Sequence, residues 1–285
     1  MKRILFLITM FAGTVMVYGQ KRQTSFPGTK LLLDSSWQIT PRIQEREIRY
    51  LDSGGKKVVV QVIKARLKKN RLLLEAATPN NKDQFSRQVV PEEMQAESSP
   101  DREVLAGVNA DFFNMKNGTP LGPVVKDRTV IKGTGRQMVA FVGVLKSGRI
   151  IMGDSLLFIK KASKLTEALG ARPLLLKDGK LLAQDSSSLS KVHHPRTAFG
   201  LSGKQTVYLV TVDGRQPEFS NGISLTDLGI LMRFLGAENA VNLDGGGSTT
   251  MIVKQPGTDQ YKVRNSPSGK MLRPVANSWI LVRKR

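Results

Sequence analysis

The residues best suited to chemistry lie in one run, residues 240–253, with the text AVNLDGGGSTTMIV. A β-rich stretch delivers Asp244, then Gly245, Gly246 and Gly247, then Ser248. Each glycine loses more backbone freedom on folding than any other residue. Three in succession make sense where a ligand must approach the backbone, or where N–H groups form a small anion nest. A tight hairpin or bulge is the plainer alternative. In the first case Asp244 stands at the strand end, facing the bound group. The run is not a nucleotide-binding loop, because the lysine is missing and the following text reads as strand. Nor is it a hydrolase nucleophile elbow, because Ser248 lacks the second glycine two positions on.

Other segments carry candidate groups. His193 and His194 precede Pro195 and Arg196 and are the chain's only histidines. Neighbours on an extended segment point to opposite sides, so the two are not expected to share a metal. His194 is a candidate proton-transfer group near neutral pH, or else a satisfied loop histidine. Arg196 opens the apolar text TAFGL, where an inward guanidinium needs a carboxylate or phosphate partner. Asp213, Gly214 and Arg215 follow the strand-like TVYLVTV, with Gly214 expected to make the bend. Asn109 and Asp111 flank Ala110 in GVNADFF and fall on one face of a strand. A buried carboxylate there costs several kcal/mol unless it is paired. The segments NSPS (265–268) and RPVANS (273–278) read as polar loops.

Positioning these groups calls for a large sheet. Residues 47–77 read as strands around a Ser53-Gly54-Gly55 hairpin turn, and residues 79–103 as a polar connection with a short helix. Residues 21–45 show little periodic signal. Further β-rich runs alternate with turns at Lys146-Ser147-Gly148, Lys177-Asp178-Gly179 and Leu201-Ser202-Gly203. One helix is clear: Ser224 is its N-cap, Leu225, Leu228, Leu231, Met232 and Leu235 form a buried stripe, and Gly236 ends it. The expected fold is α+β, a mixed and largely antiparallel sheet core with few helices in a single catalytic domain. Residues 21–103 supply variable N-terminal strands and a connection packed on the core, and residues 104–285 the catalytic region.

Composition narrows the partners. Lys2 and Arg3, an apolar stretch over residues 4–17, and a polar break near Gly19 and Gln20 form the pattern of a secretory signal over residues 1–20. The expectation is an exported, periplasmic or secreted protein with no stable membrane span after cleavage. There is no cysteine, which excludes disulfides, thiolate zinc sites and an acylated cysteine. The 44 basic and 23 acidic residues leave a net charge of +21. The bases are scattered and aromatics are few, which argues against nucleic acid and for an anionic sugar-phosphate or glycan partner. No obligate protein partner is indicated.

Taken together, GVNADFF with GTPLGPVV, HHPRTAFGL, the long run from Val210 to Met251, NSPS and RPVANS resemble the phosphodiester glycosidase family over about residues 104–280. The resemblance implies hydrolysis of a sugar 1-phosphodiester at the glycosidic bond. It carries over Asp244, Asp213 and Asp111, which join His194, read from its own chemistry, as catalytic candidates, with Asp244 as nucleophile or base and Asp213 as its helper. Arg196, Arg215, Asn109, Arg273, Gly245, Gly246, Gly247 and Ser248 fall to substrate or phosphate binding. No cofactor is required, although a divalent cation held by Asp111, Asp213 or Asp244 would fit a metal-dependent phosphodiesterase. A non-catalytic module for anionic glycans is the third reading.

Overall fold

A computed structural model describes residues 26–134, 140–203, 205–269 and 271–284. The expected signal, residues 1–20, lies outside the described residues. Strands pair into three sheets, and every strand pairing is antiparallel.

The largest sheet runs, edge to edge, Lys30–Thr40, Ile43–Leu51, Lys57–Arg66, Thr206–Val212, Arg196–Ser202, Asn239–Asn242, Leu174–Lys177 and Lys180–Leu181. A second sheet has the order Thr129–Lys132, Val124–Lys126, Leu165–Ala171, Ala140–Leu145, Ile150–Gly153. The third has the order Tyr261–Val263, Met251–Lys254, Arg102–Asn109, Ser278–Lys284, Leu72–Ala77. The N-terminal strands are therefore built into two of the sheets, and the boundary expected at residue 103 falls inside a central strand.

One core joins all three sheets. Ile63, Phe199 and Leu209 of the first meet Val142 and Leu169 of the second and Val108, Met251 and Trp279 of the third. The two-residue period of a strand sends alternate residues to opposite faces. Trp279 and Leu281 accordingly enter the shared core, while Ile280 and Val282 pack against α1 (Val90–Ala96) on the outer face. The first sheet's outer face is covered by α4 (Leu225–Phe234). Leu225, Leu228, Leu231 and Met232 of α4 rest on Ile48, Val60 and Val210. Ser224 caps α4 by accepting the Asp227 N–H at 3.1 Å, and Gly236 takes φ +97° after it.

Two short helices, α2 (Ser155–Lys161) and α3 (Ser188–Lys191), have no clear sequence signature. The strand Lys30–Thr40 is the largest departure from the text. It is an edge strand exposed on both faces over most of its length, so it has no apolar–polar alternation to read.

Candidate active site

The site forms where strand ends from the first and third sheets meet. Asp244 leaves the strand Asn239–Asn242 and is tied to the end of Arg102–Asn109. Its N–H donates to the Ala110 carbonyl at 2.8 Å, and its carbonyl accepts Asn109 Nδ2 at 2.7 Å. Asn109 Oδ1 accepts the Thr197 hydroxyl at 2.7 Å and the Thr250 N–H at 3.1 Å. Asn109 is fully buried with both ends of its amide taken up by the protein. It therefore clamps three segments together, whatever part it takes in the substrate binding expected of it.

The glycine run is bare because other groups press on it. A Cβ on Gly245 would lie 2.6 Å from the Pro195 carbonyl oxygen. Gly246 has φ +61°, and a Cβ there would lie 3.2 Å from both terminal nitrogens of Arg215. A Cβ on Gly247 would collide with the guanidinium of Arg273. Two arginines thus converge on this backbone from distant parts of the sequence. The expected nest of free N–H donors is reduced, since the Gly246 N–H goes to the Pro195 carbonyl at 2.8 Å. The Gly245 N–H lies against the Asp244 carboxylate and favours its charge.

Two acids share this place. Burial pushes Asp244 up to about 6, against the opposing influence of Ser248, Arg273, the Gly245 N–H and Arg172. Ser248 Oγ is buried with no protein partner in hydrogen-bonding geometry, yet lies close enough to favour the ionised Asp244. Asp111 rises to about 7, again through burial, opposed by the Gly122 N–H and Arg172 and reinforced by the charge of Asp244. Asp111 Oδ2 accepts the Gly122 N–H at 2.7 Å and is wedged against Gly170, where any side chain would overlap it. Its own N–H donates to Asn277 Oδ1 at 2.9 Å, which gives the RPVANS segment a positioning role.

Asp213 is arranged differently. It is fully buried, and Oδ1 accepts the Ser266 N–H at 2.8 Å and Asn265 Nδ2 at 3.2 Å from the NSPS segment. Burial first, then Glu47, pushes it up to about 7, while Oδ2 is buried without a partner. Asp111 is thus the acid that feels the charge of Asp244, and Asp213 holds the neighbouring loop. Oδ2 of Asp213, the expected helper, is left free of protein partners. The bend after its strand also differs from expectation. Arg215 itself takes the left-handed conformation, φ 59°, and Gly214 is bare because Pro195 and Gly222 crowd it. A non-glycine residue held in that region is a local strain of the kind found at functional sites.

Arg196 is buried and, of the carboxylate or phosphate expected beside it, no carboxylate pairs with it among the described residues. It donates Nε to the Ile223 carbonyl at 3.2 Å and Nη2 to those of Leu189 and Val192. Burial and the nearby Arg215 pull it down to about 10. His194 is lowered by burial, then by Arg196 and Arg215, which favours its neutral form. His193 turns the other way, with Nδ1 at 3.1 Å from Asn221 Nδ2.

Arg172, absent from the sequence-based set, completes the site. It favours the charged forms of both Asp111 and Asp244, and its guanidinium lies 4.9 Å from the ring centre of Phe112. Its Nε is buried without a partner. Among the described residues no group of three or more His, Asp or Glu side chains converges as a metal ion would need. Asp111, Asp213 and Asp244 form no such group of three.

The surface is open. Asp244 and the three glycines are half-buried, and Arg215 is exposed. A depression of about 400 Å³ lined by Leu73, Glu75, Arg128 and Glu167 involves none of these groups.

The fold and this cluster define an antiparallel α+β domain that sets a carboxyl pair beside arginines and a bare glycine run. Residues 102–282 match the family described as phosphodiester glycosidase, well over half of the chain, and the chain belongs to that family. It is 27% identical over 161 residues to the N-acetylglucosamine-1-phosphodiester alpha-N-acetylglucosaminidase of Mus musculus, covering 51% of this chain and 31% of that protein. It is 32% identical over 163 residues to the SPbeta prophage-derived protein YomE of Bacillus subtilis, covering 54% and 24% respectively. The matched region thus spans under a third of either relative. Among solved structures, the catalytic domain of zebrafish N-acetylglucosamine-1-phosphodiester alpha-N-acetylglucosaminidase, auto-inhibited by its pro-peptide, has the same fold. Its TM-score is 0.70 at 18% identity, with 89% of each chain covered.

Proposed function

We propose that this protein hydrolyses a sugar 1-phosphodiester by breaking the bond between the anomeric carbon and the phosphate oxygen. Water supplies the new sugar hydroxyl, and the phosphate leaves as a monoester. The observation that carries this reading is the Asp111–Asp244 pair set beside Arg172, Arg273 and the bare glycine run. The leaving phosphoryl group gains negative charge as the bond breaks, and arginines placed in advance stabilise it. The sugar gains positive charge at the same moment, and an ionised carboxylate stabilises that. Asp244, the more accessible member of the pair, takes this role as nucleophile or base. Asp111, still largely protonated toward neutrality, donates its hydrogen to a ligand oxygen. A phosphodiester leaves as a stable anion, so Asp111 assists as a hydrogen-bond donor and need not transfer its proton fully.

We also propose that the enzyme acts outside the cytoplasm on an anionic surface polymer. The basic–apolar–polar leader over residues 1–20 and the net charge of +21 support that location. N-terminal sequencing of protein recovered from the exported fraction tests it; a chain still beginning at Met1 inside the cell contradicts it.

The activity is tested on a panel of sugar 1-phosphodiesters, with and without chelator. Free sugar and a phosphomonoester, formed at the same rate in both conditions, are expected. Release of a sugar phosphate, or tight binding without turnover, overturns the proposal.

A further inference from the structure

The helix α2 (Ser155–Lys161) covers the outer face of the second sheet with one side only. Phe158 is buried edge-on against Phe141, their ring centres 5.4 Å apart. Asp154 caps the helix by accepting the Leu157 N–H at 2.9 Å. The opposite side presents Leu156 and Ile159, 71% and 67% exposed. At a spacing of three these two aliphatics stand together on the helix surface. Lys160 and Lys161 follow them directly, and Lys164 lies one turn on. Lys146 joins this group, its N–H donating to the Lys164 carbonyl at 2.9 Å. Among the described residues, none of Lys146, Lys160, Lys161 and Lys164 has an ion-pair partner.

We infer that α2 is an interfacial anchor that docks on the surface of an anionic phospholipid bilayer. Protruding aliphatics enter the boundary between headgroups and acyl chains, while lysines beside them meet the headgroup phosphates. A purely electrostatic patch would not expose two large aliphatics, and a purely apolar patch would not be ringed by unpaired cations. Gly153, just before α2, pairs with Phe141, and Ala140 pairs with Ala171, the neighbour of the Gly170 that crowds Asp111. The start of α2 therefore lies at the active-site end of its sheet. Lys146 and Lys164 lie past the other end, where Leu145 pairs with Leu165. The inference stands on the helix alone and does not require the proposed reaction.

The test is co-sedimentation of the full chain with vesicles of phosphatidylcholine, with and without phosphatidylglycerol. The protein is expected to pellet with the anionic vesicles only. Leu156→Ser with Ile159→Ser leaves the net charge unchanged and removes the insertion, so partitioning is expected to fall about tenfold. Lys160→Glu with Lys161→Glu weakens binding at low salt, and this effect fades as salt screens it. Lys177→Glu with Lys180→Glu makes the same charge change on a different sheet and is expected to have a clearly smaller effect. Unchanged binding by the serine variant, equal losses from the two charge reversals, or no preference for anionic vesicles overturns the anchor. None of the substituted residues belongs to the catalytic cluster, so turnover of a soluble substrate reports separately on the reaction.

Discussion

The guanidinium of Arg273 occupies the space that a side chain on Gly247 would fill. The colliding atoms are at the mobile end of a long side chain, so Gly247→Ala is expected to fold normally by displacing Arg273. Activity should fall about 100-fold, the scale expected for losing one donor to a developing anion. Gly245→Ala differs, because its Cβ meets the Pro195 carbonyl oxygen, which is backbone. Overpacking of that kind costs about 1–3 kcal/mol. Thermal melts and initial rates on the two variants separate the effects; equal melting losses would contradict this reading of the glycine run.

The carboxyl pair predicts a narrow pH profile. Activity needs Asp244 ionised and Asp111 protonated, so kcat/KM should rise as pH passes about 6 and fall as it passes about 7. These limbs belong to the pair as a whole. Arg172 favours the charged form of both acids, so Arg172→Met should move both limbs to higher pH. A profile unchanged in that variant would remove Arg172 from the site.

Burial of Asp111 also makes a stability prediction. Its folded pKa is raised from 3.8 to about 7, so the fold favours the protonated form. That preference is fully present below the unfolded pKa and is lost as pH rises through the folded one, a difference of at most about 4 kcal/mol. Asp111→Asn removes the ionisation. The variant should melt higher than the wild type above about pH 7 and show no such gain near pH 4, while its activity falls about 100-fold or more. A gain that persists at low pH would point to packing instead of charge.

Asn109 clamps three segments, and Asn109→Ala leaves the Thr197 hydroxyl, the Thr250 N–H and the Asp244 carbonyl without this partner. Each unsatisfied buried group costs about 1–3 kcal/mol, so a loss of about 3 kcal/mol or more is expected in denaturant unfolding. A stable variant with raised KM alone would place Asn109 in the ligand-binding set.

Much of the site was legible because its chemistry is written locally. A carboxylate followed by three glycines is a costly pattern, and the arginines that require it sit in segments already marked by polar or glycine-rich text. The α4 helix was equally plain, since its cap and its apolar stripe are both contiguous. What the text hid is set by pairing across distance. Arg172 reads as the start of an ordinary apolar run, and only the strand ends around it bring it near Asp111 and Asp244. The glycine pocket around the Asp111 carboxyl joins Gly122 to Gly170, two positions that have no relation along the chain. Asn109 and Asp213 carry the residue types of ligand-binding groups, and the text could not show that Asn109 spends its amide on three segments and Asp213 one oxygen on the 265–266 loop. The exposed strand Lys30–Thr40 was silent because neither of its faces is consistently buried.

The central claim concerns which bond breaks, and hydrolysis in ¹⁸O-labelled water reads it directly. Breaking the bond from anomeric carbon to oxygen places the label on C1 of the released sugar. Attack at phosphorus on the same linkage gives the same two products but places the label on the phosphomonoester. This account predicts label in the sugar; label in the phosphate would contradict the role given to Asp244.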